Sequence, residues 1–263
     1  MTHKQTVAVV VPMYQSAGTI LRAMQSIFMQ VPPPSEVWLV DDASSDQTVK
    51  LAEDFIRVNR PANWCVLSSI QNMGPAAARD KGVKAATAKY VAFLDADDEW
   101  LPGRLEDSIR CMEEGELDLY GAQFATSSDV ASVITNKLSP VNLMSELMRN
   151  FFLTSTVVVR RASYIRAGGF ELGARYSEDY RLWLKMCADE GFRCAVSHAE
   201  HALYSPASRD NADRLSKKHW AMQKAELGNY FVLHQLGRIN LVVLFSAALF
   251  SMLRYGRRLL ITR

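Results

Sequence analysis

Three carboxylates fall within four residues at Asp95-Ala96-Asp97-Asp98, directly after the apolar run Tyr90–Leu94. Packed so closely they repel one another, and unless each is well solvated a cation is the natural compensation. Oxygen ligands of this kind suit Mg²⁺ or Mn²⁺ rather than zinc, and Mg²⁺ usually takes one or two protein carboxylates and keeps positions for substrate phosphates. The plainer reading is an acidic turn. A second pair, Asp41-Asp42, closes another apolar run, Val37–Val40. The chain then enters a helix that Ser45 or Asp46 is placed to cap. Capping leaves the Asp41-Asp42 pair unexplained, and a carboxylate there could accept hydrogen bonds from a nucleobase or a ribose.

Two residues further along complete the set. Arg79 shares a helical face with Val83 and Ala86, which puts its guanidinium beside the sheet near the same strand ends, or else snorkelling over apolar surface. Asp179 lies near the start of the helical stretch Ser177–Glu190, with Trp183 and Met186 four and seven positions on. That spacing predicts Asp179 on the apolar face, with Glu178 turned elsewhere and Ser177 as N-cap. The helix dipole favours an acid in a first turn whatever the function. One on the buried edge of a helix start also suits a general base. His198 and His201 flank a short strand and read as structural.

The elements that must position these groups alternate regularly. Strand-like runs Val7–Val11, Val37–Val40, Trp64–Leu67 and Tyr90–Leu94 alternate with helical stretches Ala17–Phe28, Asp46–Val58 and Pro75–Ala88. Runs apolar throughout imply strands buried on both faces, and the alternation implies a parallel sheet. Ligands of such sheets bind beyond the carboxyl ends of the strands, where the unusual residues sit. After Leu101 the beat weakens. A helix is expected at Gly103–Glu113, strands at Leu117–Phe124 and Ser155–Arg160, a short helix at Ala162–Ala167, and short strands at Phe192–Val196 and Ala202–Tyr204.

Other chemistries drop out. The first strand-to-helix turn, Pro12 to Gly18, holds one glycine, so the dinucleotide fingerprint is absent, and no phosphate-loop motif occurs anywhere. The four cysteines have neither zinc nor Cys-x-x-Cys spacing and read as buried free thiols. Thirty basic residues against 28 acidic ones give no reason to expect a nucleic-acid partner. Met1-Thr-His-Lys-Gln-Thr runs straight into a strand, so no signal peptide is expected and the chemistry should face the cytoplasm.

Five segments, in order, resemble the family 2 glycosyltransferases: Val9-Val-Val-Pro-Met-Tyr14, Val40-Asp-Asp-Ala-Ser-Ser-Asp-Gln-Thr48, Asn72-Met-Gly-Pro-Ala-Ala-Ala-Arg79, Phe93-Leu-Asp-Ala-Asp-Asp-Glu-Trp100 and Ser177-Glu-Asp-Tyr180. The resemblance covers about residues 5 to 205. It implies an inverting enzyme of the GT-A fold, an α/β architecture with a Rossmann-like, mostly parallel central sheet flanked by helices. It implies a nucleotide-diphosphate sugar donor, a glycan or lipid-linked acceptor, and Mn²⁺ or Mg²⁺. By position, Pro12, Tyr14, Asp42 and Arg79 match residues that hold the nucleobase. Asp95 matches the ribose contact, Asp97 the metal-binding carboxylate, and Asp179 the catalytic base. Residues 1–100 would be the donor half and 101–210 the acceptor half. Two departures stand out: Gln15 replaces a common Asn, and Tyr204-Ser-Pro-Ala-Ser208 lacks the Arg and His of a frequent C-terminal segment, with Ser208 or Arg209 as substitutes. Two other classes compete, a sugar nucleotidyltransferase and a catalytically silent nucleotide-sugar-binding protein. The first would want a Gly-rich basic loop after the first strand.

Residues 211–263 are expected to form a helical tail. From Arg214 onward there are nine basic residues and one acid, a net of +8, which leaves −6 for the rest. Within it, Ile239–Leu253 carries no charge, is short for a membrane span, and is framed by Arg238, Arg254, Arg257 and Arg258. Residues 236–263 therefore read as a helix lying on an anionic membrane, making the protein peripheral at the inner face, or as a helix covering the catalytic domain or a homodimer partner.

Overall fold

The computed structural model describes residues 6–125, 137–174, 176–204 and 219–261. The first hundred residues build strands β1 (Val7–Met13), β2 (Glu36–Asp41), β3 (Trp64–Ser68) and β4 (Tyr90–Phe93), joined by helices α1 (Ile20–Phe28), α2 (Thr48–Asn59) and α3 (Pro75–Ala85). β1 pairs in parallel with β2 on one side and β4 on the other, and β2 pairs in parallel with β3. The chain therefore winds outward from β1 to β3 and returns across β1 to β4. The direction of winding changes between β1 and β4, and open sheets bind ligands beyond the carboxyl ends of the strands at such a switch point.

The second half extends the sheet. β5 (Asp98–Trp100), α4 (Arg104–Glu114), β6 (Leu119–Ala125), β7 (Leu138–Pro140), α5 (Leu143–Met148), a 3₁₀ turn at Thr154–Thr156, β8 (Val158–Arg160), α6 (Arg161–Arg166), α7 (Glu178–Cys187) and β9 (Cys194–Tyr204) follow in order. The strand order is β3-β2-β1-β4-β8-β6-β9-β5, with β7 also on β9. The first four strands pair with one another in parallel throughout. Among the described residues, every antiparallel pair involves a strand of the second half: β8 pairs with β4 and β6, and β9 with β5 and β7. Two expected short strands are one continuous β9, and the expected strand at Ser155 begins three residues later, after the turn.

Both faces of the sheet are buried. Val7, Val9, Val11 and Met13 enter one core with α1, α2 and α4; Ala8 and Val10 enter the other, with α3, α6 and α7. Helix α3 lies close on the sheet because residue 82 is glycine: a Cβ there would stand 2.5 Å from Val10 Cγ1. A third apolar cluster joins Leu147 of α5 and Tyr180 and Leu184 of α7 to Tyr230 and Leu233 of α8 (His219–Gln235), to Ile239, and to Ala247 of α9 (Leu241–Ile261). The tail is thus packed on α5 and α7. Cys111 and Cys194 are buried and Cys187 partly so, but Cys65 is exposed, because it sits on β3 at the sheet edge.

Candidate active site

The loops leaving β1 and β2 are stitched together. Gln15 Nε2 donates to Ser45 Oγ at 2.8 Å, Ser16 N–H to Thr48 Oγ1 at 2.7 Å and Ala17 N–H to Asp46 Oδ2 at 3.1 Å. Asp46 also accepts the Thr48 N–H at 3.0 Å and Ser45 takes the Gln15 amide, but neither caps α2 as expected: the N-cap position is Gln47, which makes no side-chain cap bond. Pro12 is half-buried at the end of β1, and Tyr14 stands exposed beyond it. Asp42 is buried, and its two carboxylate oxygens accept the N–H groups of Met73 at 2.8 Å and Gly74 at 2.7 Å. Gly74 has φ +90°, a conformation open to glycine, and it immediately precedes α3. Asp42 therefore shapes the entry into α3, which carries Arg79.

Arg79 is buried rather than snorkelling. Its Nη2 donates to Asp95 Oδ1 at 2.6 Å and its Nη1 to Glu178 Oε1 at 2.9 Å, so one guanidinium joins the end of β4 to the start of α7. Burial works against its charge, but the carboxylates of Asp95, Glu178 and Asp179 outweigh that and hold its pKa above the ordinary value. Burial and the neighbouring Asp179 push Glu178 up to about 7, while Arg79 pulls it down. The sequence spacing turned Glu178 away from the core. In the structure Glu178 is the more buried of the two acids and Asp179 is half-buried, because Arg79 draws Glu178 inward. Ser177 makes no side-chain cap, since its backbone is left-handed with φ 50°.

One oxygen each from Asp95, Asp97 and Asp98 lie within 4.8 Å of one another, with Asp98 buried and the other two half-buried. Three hard oxygen donors this close, two of them only half-buried, fit a divalent cation of the Mg²⁺ or Mn²⁺ type. The fit leaves room for a substrate, because Asp95 already serves Arg79 and Asp98 accepts the Ser155 hydroxyl at 2.6 Å.

The 3₁₀ turn is a feature the sequence did not reveal. Thr154 Oγ1 donates to Asp179 Oδ2 at 2.6 Å, Ser155 Oγ accepts the Asp95 N–H at 3.1 Å, and Thr156 Oγ1 accepts the Ala122 N–H at 3.2 Å. Beneath it Trp100 Nε1 donates to the Ser155 carbonyl at 2.7 Å. Arg104, stacked 4.1 Å from the Trp100 ring and lowered by burial to about 9, donates to the Val157 carbonyl at 3.3 Å. Nearby Glu146 is fully buried. Burial pushes its carboxyl up to about 8, against the Phe151 N–H it accepts, and the charge of Asp179 adds to the rise. The raised carboxyl lessens the negative charge gathered near Asp179 at the start of α7. His201 Nε2 lies 3.0 Å from Asp107 Oδ2, both buried, in a structural setting. Ser208 and Arg209, the substitutes considered for the missing His, lie outside the described residues.

The family model described as Glycosyl transferase family 2 matches residues 8–175. The chain belongs to that family. Membership makes it a glycosyltransferase and sets aside the sugar nucleotidyltransferase reading. Among its relatives is WfgD of Escherichia coli, a UDP-Glc:alpha-D-GlcNAc-diphosphoundecaprenol beta-1,3-glucosyltransferase, 26% identical over 89% of this chain and 89% of that protein. The amylovoran biosynthesis glycosyltransferase AmsB of Erwinia amylovora is 30% identical over 77% of this chain and 70% of its own. Longer relatives exist: the chain spans 31% of an uncharacterized glycosyltransferase of Rickettsia felis at 25% identity. The fold is GT-A, shared with solved structures. Staphylococcus aureus TarS in complex with UDP-GlcNAc gives a TM-score of 0.65 at 21% identity, covering 86% of this chain and 66% of that one. A mannosyltransferase of Pyrobaculum calidifontis in complex with GDP-Man and Mn²⁺ gives 0.71 at 17% identity, covering 95% and 70%.

Proposed function

We propose that this glycosyltransferase moves a sugar, with inversion, from a nucleoside-diphosphate donor to a hydroxyl of a lipid-linked glycan in cell-surface polysaccharide synthesis. The observation that carries the reading is the Asp95–Arg79–Glu178 bridge, which ties the acid cluster to the start of the helix bearing Asp179. Pro12, Tyr14 and Asp42 line the nucleobase end, Arg79 holds Asp95 at the ribose, and residues 101–210 receive the acceptor. Asp97 would hold a divalent ion, which would supply positive charge to offset that of the departing diphosphate. Asp179 takes the acceptor proton as the acceptor oxygen bonds to the anomeric carbon and the carbon–oxygen bond to the diphosphate breaks. One displacement inverts that carbon. Incubating the protein with a panel of UDP-, GDP- and dTDP-sugars and a lipid-diphosphate sugar should give one product whose anomeric configuration, read by NMR, is opposite to the donor's. Retention, or turnover of no donor, would overturn the reading. The acceptor class draws on WfgD, whose name specifies a diphosphoundecaprenol substrate.

The tail supports a membrane setting through its outer face. No helix among the described residues is long and apolar enough to cross a membrane. α9 buries Ala247 and Ser251 inward and exposes Val242, Phe245, Leu249, Leu253 and Leu260 outward. Arg257 and Arg258 are exposed at its end. An apolar stripe edged by arginines fits the headgroup region of an anionic bilayer. Because α9 shares a core with α7, deleting residues 236–263 would uncover Tyr180 and Leu184, so surface substitutions are the cleaner probe. The full chain should sediment with vesicles rich in anionic lipid at low salt. Phe245→Asp with Leu249→Asp should release it, and high salt should weaken binding by about 1 kcal/mol per basic residue engaged. Failure of the unaltered chain to bind would reassign the stripe to a dimer contact.

A further inference from the structure

We infer that Thr154 is a positioning residue that sets how Asp179 addresses the acceptor hydroxyl, a proposal that rests on the glycosyl-transfer reading above. The carboxylate of Asp179 receives two bonds. The Tyr180 N–H donates to Oδ1 at 2.7 Å, and the Thr154 hydroxyl donates to Oδ2 at 2.6 Å. The first comes from the adjacent residue of the same helix, and it moves with α7. The second comes from 25 residues away and ties the carboxylate to a separate element. The terminal torsion of an aspartate is broad and roughly two-fold, so a bond from outside the helix is what selects one orientation.

The element supplying that bond is itself fixed at both neighbouring positions. Ser155 Oγ accepts the Asp95 N–H at 3.1 Å and donates to Asp98 Oδ2 at 2.6 Å. Thr156 Oγ1 accepts the Ala122 N–H at 3.2 Å and donates to the Ala122 carbonyl at 3.0 Å. Three successive hydroxyls thus reach the base, the acid cluster and β6. Their backbone is pinned from below by Trp100. The turn is short and buried, and it links the base to the acid cluster. Orientation of this kind matters because a displacement of about 1 Å at a reacting group can cost on the order of 100-fold in rate.

The test separates the hydroxyl from the packing of Thr154. Thr154→Val keeps the shape and removes the donor; Thr154→Ser keeps the donor and removes the methyl. Thr154→Val should lower kcat for transfer by roughly 10-fold or more, the scale of a lost hydrogen bond to a charged group, with the donor KM within about twofold. Thr154→Ser should restore most of kcat. Thr154→Ala, which cannot crowd the turn, should behave as Thr154→Val does. Unchanged kcat in the valine and alanine variants would overturn the assignment, as would a serine variant no better than alanine, which would reduce Thr154 to packing. If the unaltered protein turns over no nucleotide sugar, the glycosyl-transfer reading fails and this proposal fails with it. Normal wild-type turnover with unaltered variants removes the positioning role alone.

Discussion

Asp179→Asn should reduce kcat for sugar transfer by about 100-fold or more, the usual scale for loss of a general base, with the donor KM barely changed. The substitution holds volume nearly constant, and its carbonyl oxygen can still accept the Thr154 hydroxyl that Asp179 accepts at 2.6 Å. What it removes is the charge and the capacity to take a proton. The donor side should be spared, because the Arg79 bridge runs through Glu178 and Asp95 and leaves Asp179 out. Glu178 is the natural control. Held by Arg79 at 2.9 Å and buried, it has neither the exposure nor the freedom to meet an acceptor. Glu178→Gln should therefore act on donor affinity, through a loosened Arg79 and Asp95. Near-normal kcat in Asp179→Asn, with a collapse in Glu178→Gln, would move the base to Glu178. Steady-state kinetics on the two variants decides it.

The first hundred residues were legible because their strands are written as unbroken apolar runs. Val7–Val11 and Tyr90–Leu94 predict β1 and β4 to within two residues, since burial on both faces leaves no polar position to confuse the reading. The acid cluster was legible for the same reason in reverse, as charge at the end of such a run. What the sequence hid were pairings decided by distant chain. β5 is three residues long and begins inside the acid cluster, so nothing marks Asp98–Trp100 as a strand until β9 lies beside it. β9 reads as two pieces because Ser197, His198, Glu200 and His201 interrupt its apolar pattern, yet Ser197 and His201 are buried. Helical spacing put Asp179 inward and Glu178 outward, and a single buried arginine reversed the order. The hydroxyls of Thr154 and Ser155 carry no local signal at all. A threonine in a turn is common, and only the assembled fold brings Asp179, Asp95 and Asp98 to them.

Removing divalent metal should abolish transfer, and Mn²⁺ or Mg²⁺ should restore it in the wild-type protein and fail to do so in Asp97→Ala. The protein should survive the loss folded. Asp95 keeps its ion pair with Arg79 at 2.6 Å and Asp98 its bond from Ser155 at 2.6 Å, so the strand end stays compensated without an ion. That gives the prediction a readout independent of activity. A ligand bound to the folded state alone stabilises it by about 2.7 kcal/mol at one hundred times its Kd. Saturating Mn²⁺ should therefore raise the melting temperature of the wild-type protein, more so with a nucleoside diphosphate present to complete the coordination. Asp97→Ala should melt at a similar temperature without metal and show little of that rise. Asp41→Ala serves as the contrast: its carboxylate also ends a strand of the sheet, but it accepts the Ser44 N–H at 3.2 Å within its own loop, so its loss should leave the metal-induced rise in place. Full transfer activity of Asp97→Ala in metal-free buffer would show that the diphosphate departs without a metal. The burden of its charge would then pass to the side chains around the site.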